Sequence, residues 1–195
     1  MTHQNGSGQP IAHALDEATR AVYKLSWPRS DRARIRYVMR SRHMTLPELA
    51  RWLGIPLSGV TEHLGPGPCA HARNCTVSAR LRAEVLRLAR PAMLEHARIR
   101  AVTTGMMVHT RARFGYRAVP GGRDEARVRL ITQLVRPDEA CALLSAHREE
   151  APEGELHRLL QRGLVVAYFQ PRDTDRIDQF FELGPLDFVD VDLTA

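Results

Sequence analysis

The apolar side chains near the start of the chain recur at the spacing of amphipathic helices. Ser30 and Asp31 can cap the second of these helices, and Pro28 separates it from the first. Thr45 and Glu48 have the spacing of a capping box that opens a third, short helix. The apolar residues of the first two predicted helices are Ile11, Ala14, Leu15, Ala18, Val22, Leu25, Ile35, Val38 and Met39.

The segment 45–64 has the pattern of a helix-turn-helix. Such a motif needs a small residue where its helices cross, a residue tolerant of positive φ at the turn, and an aliphatic anchor in the second helix. Ala50, Gly54 and Val60 stand at these places. The outward face of the second helix lacks the Arg, Asn or Gln that usually read bases, so we expect contact mainly with the DNA backbone. The side chains expected on that face are Ser58, Thr61, Glu62 and His63.

A longer basic helix is predicted from Ser78 to about Ala101, kinked or divided at Pro91. Its apolar stripe leaves one face rich in arginine, and this face leads toward a further group of arginines. We therefore predict phosphate contacts along this part of the chain. The arginines assigned to these contacts are Arg80, Arg82, Arg87, Arg90, Arg98, Arg100, Arg111, Arg113 and Arg117.

The pattern changes after Gly121 and Gly122. Residues 126–135 and 186–193 alternate as strands do, and the segments 137–151 and 154–169 have helical spacing. The sequence thus predicts an α+β protein, with a mainly helical N-terminal region that holds the helix-turn-helix and the basic helix, followed by a small α+β C-terminal domain. The predicted divisions are a helical extension at 1–30, a DNA-binding region at 31–101 and an α+β domain at 102–195.

The composition is that of a globular protein, with 44% hydrophobic and 26% charged residues among 195. We see no signal peptide and no apolar run of membrane-spanning length, and three cysteines favour a reducing compartment, so we expect a cytoplasmic protein. Cys69, His71 and Cys75 lie close in the sequence, but their spacing matches no strong zinc template. We predict an ordinary loop there, and no metal or cofactor.

Charge is distributed unevenly along the chain. The net charge is +6, yet residues 1–117 carry 19 basic and 7 acidic side chains, whereas residues 118–195 carry 9 and 15. Such sorting predicts one region that neutralises phosphate and another with a different task. The stretch His109 to Arg129 adds Thr110 and Tyr116 to its arginines around a Pro-Gly-Gly turn, which favours a loop that meets phosphate and offers it a hydroxyl group.

These pieces together resemble the telomere-protecting terminal proteins of Streptomyces-type linear chromosomes and plasmids. The resemblance covers about three quarters of the chain: the helix-turn-helix, the basic helix, "TTGMMVHTRARFGYRAVPG", "DEARVR", "GLVVAYF" and the acidic end. Its most specific element is the T-R-A-R-F-G-Y block from Thr110 to Tyr116. Residues 1 to about 30 and the loop 65–77 match least.

The resemblance implies a protein primer rather than an enzyme. Such proteins bind the 3′ overhang at linear replicon ends with a telomere-associated protein, supply a hydroxyl on which a DNA polymerase starts the missing 5′ end, and stay covalently attached. It also implies that the protein is associated with the nucleoid and has no membrane partner. The family's priming threonine lies in a loop that here reads Pro120-Gly121-Gly122-Arg123, without a hydroxyl. The nearest candidate hydroxyls belong to Tyr116 and Thr110.

Two other interpretations remain open. One is a helix-turn-helix transcriptional regulator whose C-terminal domain dimerises or senses a ligand, and the other is a related protein that binds DNA ends without priming. A stand-alone enzyme fits least, because the sequence has no G-x-S-x-G, H-E-x-x-H, P-loop or Rossmann fingerprint. The sequence leaves the oligomeric state open, a homo-oligomer included.

Overall fold

The computed structural model describes residues 10–23, 28–65, 75–117, 126–171 and 177–193. Within them the chain forms eight helices, most of them N-terminal, and a three-stranded antiparallel sheet toward the C-terminus. The predicted α+β class is confirmed. Two compact units divide the chain: a helical unit, Leu25–Ala92, and a mixed unit made of Met1–Lys24 and Met93–Ala195.

The helical unit is built from α2 (Asp31–Arg42), α3 (Leu46–Leu53), α4 (Leu57–Leu64) and the first part of α5 (Cys75–Thr104). Local sequence signals set its helix ends. The Ser30 side chain accepts from the backbone N–H of Ala33 at the start of α2. The buried core of this unit consists of Ile35, Val38, Leu49, Ala50, Leu53, Val60, Val77, Leu81 and Val85.

Helix α5 runs unbroken for 30 residues with Pro91 inside it. Of the two outcomes expected at Pro91, division of the helix is therefore wrong, and a kink stays a prediction. A proline removes one backbone donor from a helix interior, and the side chains on both sides of it in α5 remain packed, with Ala89 and Met93 both buried. The boundary between the two units nevertheless falls at Ala92, one residue beyond the proline.

The mixed unit has a sheet of strand order β2-β1-β3, all antiparallel. Helices pack with the sheet around one core that includes Leu15, Phe114, Leu144 and Leu160. The elements of this unit, besides the end of α5, are α1 (Ile11–Val22), β1 (Met106–Tyr116), β2 (Arg127–Val135), α6 (Pro137–Arg148), α7 (Glu153–Phe169), α8 (Ile177–Phe180) and β3 (Phe181–Asp192).

Helix α1 belongs to this mixed unit, although the sequence assigned it to a separate extension. The carboxylate of Glu153 accepts from the backbone N–H of Ile11, and His147 lies 2.9 Å from the Asp16 carboxylate. Ile11 and Leu15 are completely buried in the shared core. Helix α1 therefore finds its partners in α6, α7 and β3, far later in the chain. Among the described residues, no helix has the length and apolar character needed to cross a membrane.

Candidate nucleic-acid interface

Helices α3 and α4 form the two arms of the predicted helix-turn-helix. Gly54 has φ of 72° and its N–H donates to the carbonyls of Ala50 and Arg51, which ends α3 and turns the chain. Val60 is completely buried and Ala50 nearly so. The Glu48 carboxylate accepts from the backbone N–H of Thr45 at 2.8 Å, so the predicted capping box is present, and this bond holds the pKa of Glu48 below its ordinary value.

Helix α4 exposes fewer polar side chains than the sequence indicated. Ser58 and Thr61 are exposed, and the Thr61 hydroxyl donates to the Ser58 carbonyl at 2.7 Å. The prediction that His63 projects outward is wrong, because His63 is 6% exposed and turns toward the core with Val60. Its Nδ1 is buried without a hydrogen-bond partner among the described residues. Phosphate contact from α4 is thus limited to short hydroxyl side chains.

The arginines predicted on the first part of α5 are already engaged within the protein. The Arg80 guanidinium lies 4.9 Å from the centre of the Trp52 ring, and Arg82 donates to the Ser78 carbonyl at 3.2 Å. Arg87 binds Glu84 with two nitrogens, at 2.8 and 3.0 Å. Arg90 is half-buried and also has a partner within the chain. Meeting phosphate would require several of these arginines to exchange contacts.

The arginines predicted in the mixed unit are engaged as well. Across the sheet, Arg111 pairs with Asp187 at 3.4 Å and Arg113 with Glu182. The remaining contacts are those of Arg98 to Glu95 at 2.8 Å, Arg100 to the Leu193 carbonyl at 3.4 Å, and Arg117 to the Phe181 carbonyl at 2.9 Å. The acidic end of the chain thus neutralises arginines that the sequence had assigned to phosphate.

Only the flanks of the stretch His109 to Arg129 are described, and they are strands and not loop, so phosphate binding by the turn between them stays a prediction. These flanks form most of β1 and the start of β2, and residues 118–125 lie outside the described residues. A signal for β1 was present in the sequence. The residues at alternate positions, Met106, Val108, Thr110, Ala112 and Phe114, are those that the strand buries.

The structure shows a cationic row on α2 that the sequence analysis missed. Arg32, Arg36 and Arg40 are spaced four residues apart, which places them along one face of the helix, and all three are exposed. Among the described residues none of the three has an ion pair or a hydrogen bond from its side chain. We call these three residues the α2 arginine row. Together with Arg29 and Tyr37 they line a shallow open groove. The four-residue spacing alone could have revealed it.

The helix that carries this row is fixed at both ends to α5. Near its start, the Ser78 hydroxyl donates to the Asp31 carboxylate, and near its end Arg42 binds Glu84 at 2.7 Å. Burial raises the pKa of Asp31, but hydrogen bonds from Ser78 and Arg34 outweigh burial and hold that pKa below its ordinary value. Hydrogen bonding from Arg87, with the charge of Arg42, likewise lowers the pKa of Glu84. Both carboxylates therefore stay ionised in the fold.

The two hydroxyls proposed for priming differ in accessibility. Thr110 is completely buried, and its hydroxyl donates to the Phe188 carbonyl within the sheet, so it is not presented to a substrate. Tyr116 is half-buried at the end of β1, with its ring centre 5.1 Å from that of Phe169 and 4.3 Å from that of Phe181. Its phenol oxygen has no hydrogen-bond partner among the described residues. Tyr116 is thus the better placed of the two.

The loop that holds Cys69 and His71 lies outside the described residues, and so does the side chain of Cys75. No group of three or more His, Cys, Asp and Glu side chains in the described part of the chain could hold a metal ion. The metal question raised by these three residues therefore stays a prediction.

Comparison with known proteins leaves geometry and charge as the grounds for a function. A scan of protein-family models found no family that matches this chain, and searches of the curated proteins and of the solved structures found no match either.

Proposed function

We propose that this protein binds DNA through its helical unit. The observation that carries the proposal is the α2 arginine row, Arg32, Arg36 and Arg40, which is exposed and unpaired among the described residues. Three guanidinium groups along about 12 Å of helix suit the closely spaced phosphates of a nucleic-acid backbone. The unit as a whole carries 12 basic and 4 acidic side chains, so its field also attracts a polyanion.

The helix-turn-helix belongs to the same unit as the α2 arginine row and supports the proposal of DNA binding. Helix α2 and helix α3 both contact α4. The hydroxyls of Ser58 and Thr61 on α4 can donate to phosphate oxygens but offer little discrimination between bases. We therefore propose binding that depends mainly on the DNA backbone, with modest sequence preference.

The role that this binding best serves is that of a terminal protein at the ends of a linear replicon. This proposal rests on the resemblance of the T-R-A-R-F-G-Y block, and it takes a telomere-associated protein and a DNA polymerase as partners. The Tyr116 phenol oxygen would lose its proton to solvent and attack the α-phosphorus of a deoxynucleoside triphosphate, forming a phosphodiester between the tyrosine and the deoxynucleoside and releasing pyrophosphate. The polymerase's metal ions would activate the nucleophile and stabilise the transition state.

A second candidate function is a helix-turn-helix transcriptional regulator. The observation that favours it is that neither candidate residue is fully exposed, since Thr110 is completely enclosed and Tyr116 is half-buried, with its ring against two phenylalanines. A regulator needs neither hydroxyl. It would bind a duplex site and form no covalent adduct with nucleotide.

DNA binding is tested with a charge-matched pair of triple variants. Neutralising the row as Arg32→Gln, Arg36→Gln and Arg40→Gln should weaken binding to both duplex and single-stranded DNA by about 100-fold, at roughly 1 kcal/mol per contact. The slope of log Kd against log salt should fall by about 0.9 per lost duplex phosphate contact. The control neutralises three exposed arginines of the mixed unit, Arg20, Arg136 and Arg162, and should change affinity little. Fluorescence anisotropy over a salt series measures the affinity and its salt dependence for each variant. Equal losses of affinity in the two variants would refute DNA binding by the α2 arginine row.

Priming is tested by incubation with a labelled deoxynucleotide and the host's polymerase extract. A terminal protein acquires label that survives denaturing electrophoresis, and peptide mapping places it at Tyr116. The Tyr116→Phe variant removes the hydroxyl while keeping the ring, so it should lose the label and retain DNA affinity. Absence of label from the unaltered protein in an extract that primes a known substrate favours the regulator.

A further inference from the structure

The two edges of the sheet differ in how they are protected. An exposed strand edge offers unpaired N–H and C=O groups, and proteins usually blunt it with proline, charge or a bulge. Strand β3 has all three: Pro185 and Asp187 are exposed on it, and its register with β1 shifts between Arg111 and Ala112 and again between Ala112 and Phe114. This edge is poorly suited to pairing with a further strand.

Strand β2 lacks proline and a bulge, and its two charges, Arg127 and Arg129, are confined to one end. Its nine residues contain no proline or acidic side chain and pair with β1 in continuous register. Within the described residues its opposite edge faces no other strand. Three large apolar side chains lie exposed on one face of it: Val128 at 62%, Leu130 at 66% and Leu134 at 48%. A regular edge of this kind, with no charge from Leu130 to Val135, is a template for strand addition.

We propose that β2 pairs antiparallel with β2 of a second copy of this chain, about a two-fold axis at Ile131, to give a continuous six-stranded sheet. The pattern of side chains along β2 supports a copy as the occupant. The strand carries both its charges, Arg127 and Arg129, at one end and its apolar residues toward the other. Antiparallel pairing sets the cationic end of each strand against the apolar end of the other.

The register about Ile131 is self-complementary. Val128 stands opposite Leu134 of the second copy, and Leu130 stands opposite Thr132, so apolar side chains cover one another across the junction. On the other face, Arg129 stands opposite Gln133 of the second copy, and its guanidinium keeps its contacts with the Phe114 carbonyl and with Tyr168. No two arginines are directly opposed, whereas in-register parallel pairing of the copies would bring the arginine ends together. A two-fold interface demands such self-complementarity.

The inference does not depend on DNA binding, and its test measures mass alone. Sedimentation equilibrium of the full chain without DNA should show monomer and dimer in equilibrium, with a dissociation constant below about 100 µM. Placing lysine at two opposed positions, as Val128→Lys with Leu134→Lys, creates two like-charge pairs across the junction and should raise the dissociation constant about 30-fold or more. Replacing the same positions with opposite charges, as Val128→Glu with Leu134→Lys, creates two attractive pairs and should keep the dimer.

The matched control adds the same two lysines to exposed apolar positions of the helical unit, Leu57→Lys with Leu86→Lys, and should leave the dimer intact. Circular dichroism of every variant shows whether the chain stays folded. A monomeric unaltered protein at the highest concentration overturns the proposal, and so does a dimer that persists in the double-lysine variant. Dissociation of the variant with opposite charges overturns the register about Ile131.

Discussion

The helical unit and the mixed unit use arginine in opposite ways. In the helical unit, 12 basic side chains meet only 4 acidic ones, and the α2 arginine row has no intramolecular acceptor among the described residues. In the mixed unit, 16 basic side chains meet 18 acidic ones. There, Arg111 and Arg113 are neutralised by carboxylates of β3. The number of arginines in a segment is thus a poor guide to phosphate binding, and the acidic partners that the fold supplies are a better one.

The units also differ in how their acidic groups act. In the helical unit, the carboxylates of Asp31 and Glu84 join α2 to α5 and so hold the arginine row in place. In the mixed unit, the carboxylate of Asp187 lies on the surface and cancels a nearby charge. A few buried carboxylates can therefore support a cationic surface, while many exposed ones remove it.

The largest loss of stability should come from removing the buried carboxylate of Glu84 in the helical unit. Glu84→Ala leaves Arg42 and Arg87 without their acceptor and should lower the free energy of unfolding by about 2 kcal/mol. Urea unfolding followed by tryptophan fluorescence measures it, because Trp52 packs against the core of this unit. Glu84→Gln retains an acceptor and should cost less. Equal loss in both variants would show that charge, and not hydrogen bonding, fixes α2.

A smaller loss of stability in the helical unit should follow a fall in pH. The pKa values of Asp31 and Glu84 lie below their ordinary values of 3.8 and 4.5, so their ionised forms stabilise the fold. That stabilisation is present above the ordinary values and is lost as the pH falls through the lowered ones. Urea midpoints from tryptophan fluorescence should therefore decline below about pH 5. The Asp31→Asn, Glu84→Gln double variant should show a flatter decline, and an unchanged slope would contradict the anchoring role.

The smallest effect should come from the surface pair of the mixed unit. Arg111 and Asp187 are 57% and 59% exposed, and exposed ion pairs contribute little because water and salt screen them. Asp187→Asn should change the free energy of unfolding by less than about 0.5 kcal/mol, as thermal unfolding by circular dichroism would show. The variant also frees Arg111. A large gain in DNA affinity in this variant would show that mixed-unit arginines bind phosphate once released, which would break the contrast between the units.

Local signals in the sequence predicted much of the fold. The spacing of apolar residues located α1, β2, α6, α7 and β3, and short-range chemistry at Thr45, Glu48 and Gly54 located the ends of α3. These features depend on neighbours within a few residues, which the sequence displays directly. The candidate site was harder to predict. His63 has the same polarity as its exposed neighbours on α4, and only packing against the core places it inside.

The sequence by itself determined the α+β class, most of the helices and strands, and the excess of positive charge toward the N-terminus. The tertiary structure alone decided which of the described arginines have an acidic partner, because Arg111 meets Asp187, 76 positions later, and Arg42 meets Glu84 on another helix. It also decided that Thr110 is enclosed and that, in the described part of the chain, no further strand pairs with the outer edge of β2. Pairing, burial and edge exposure depend on contacts between distant segments, and no local pattern carries that information.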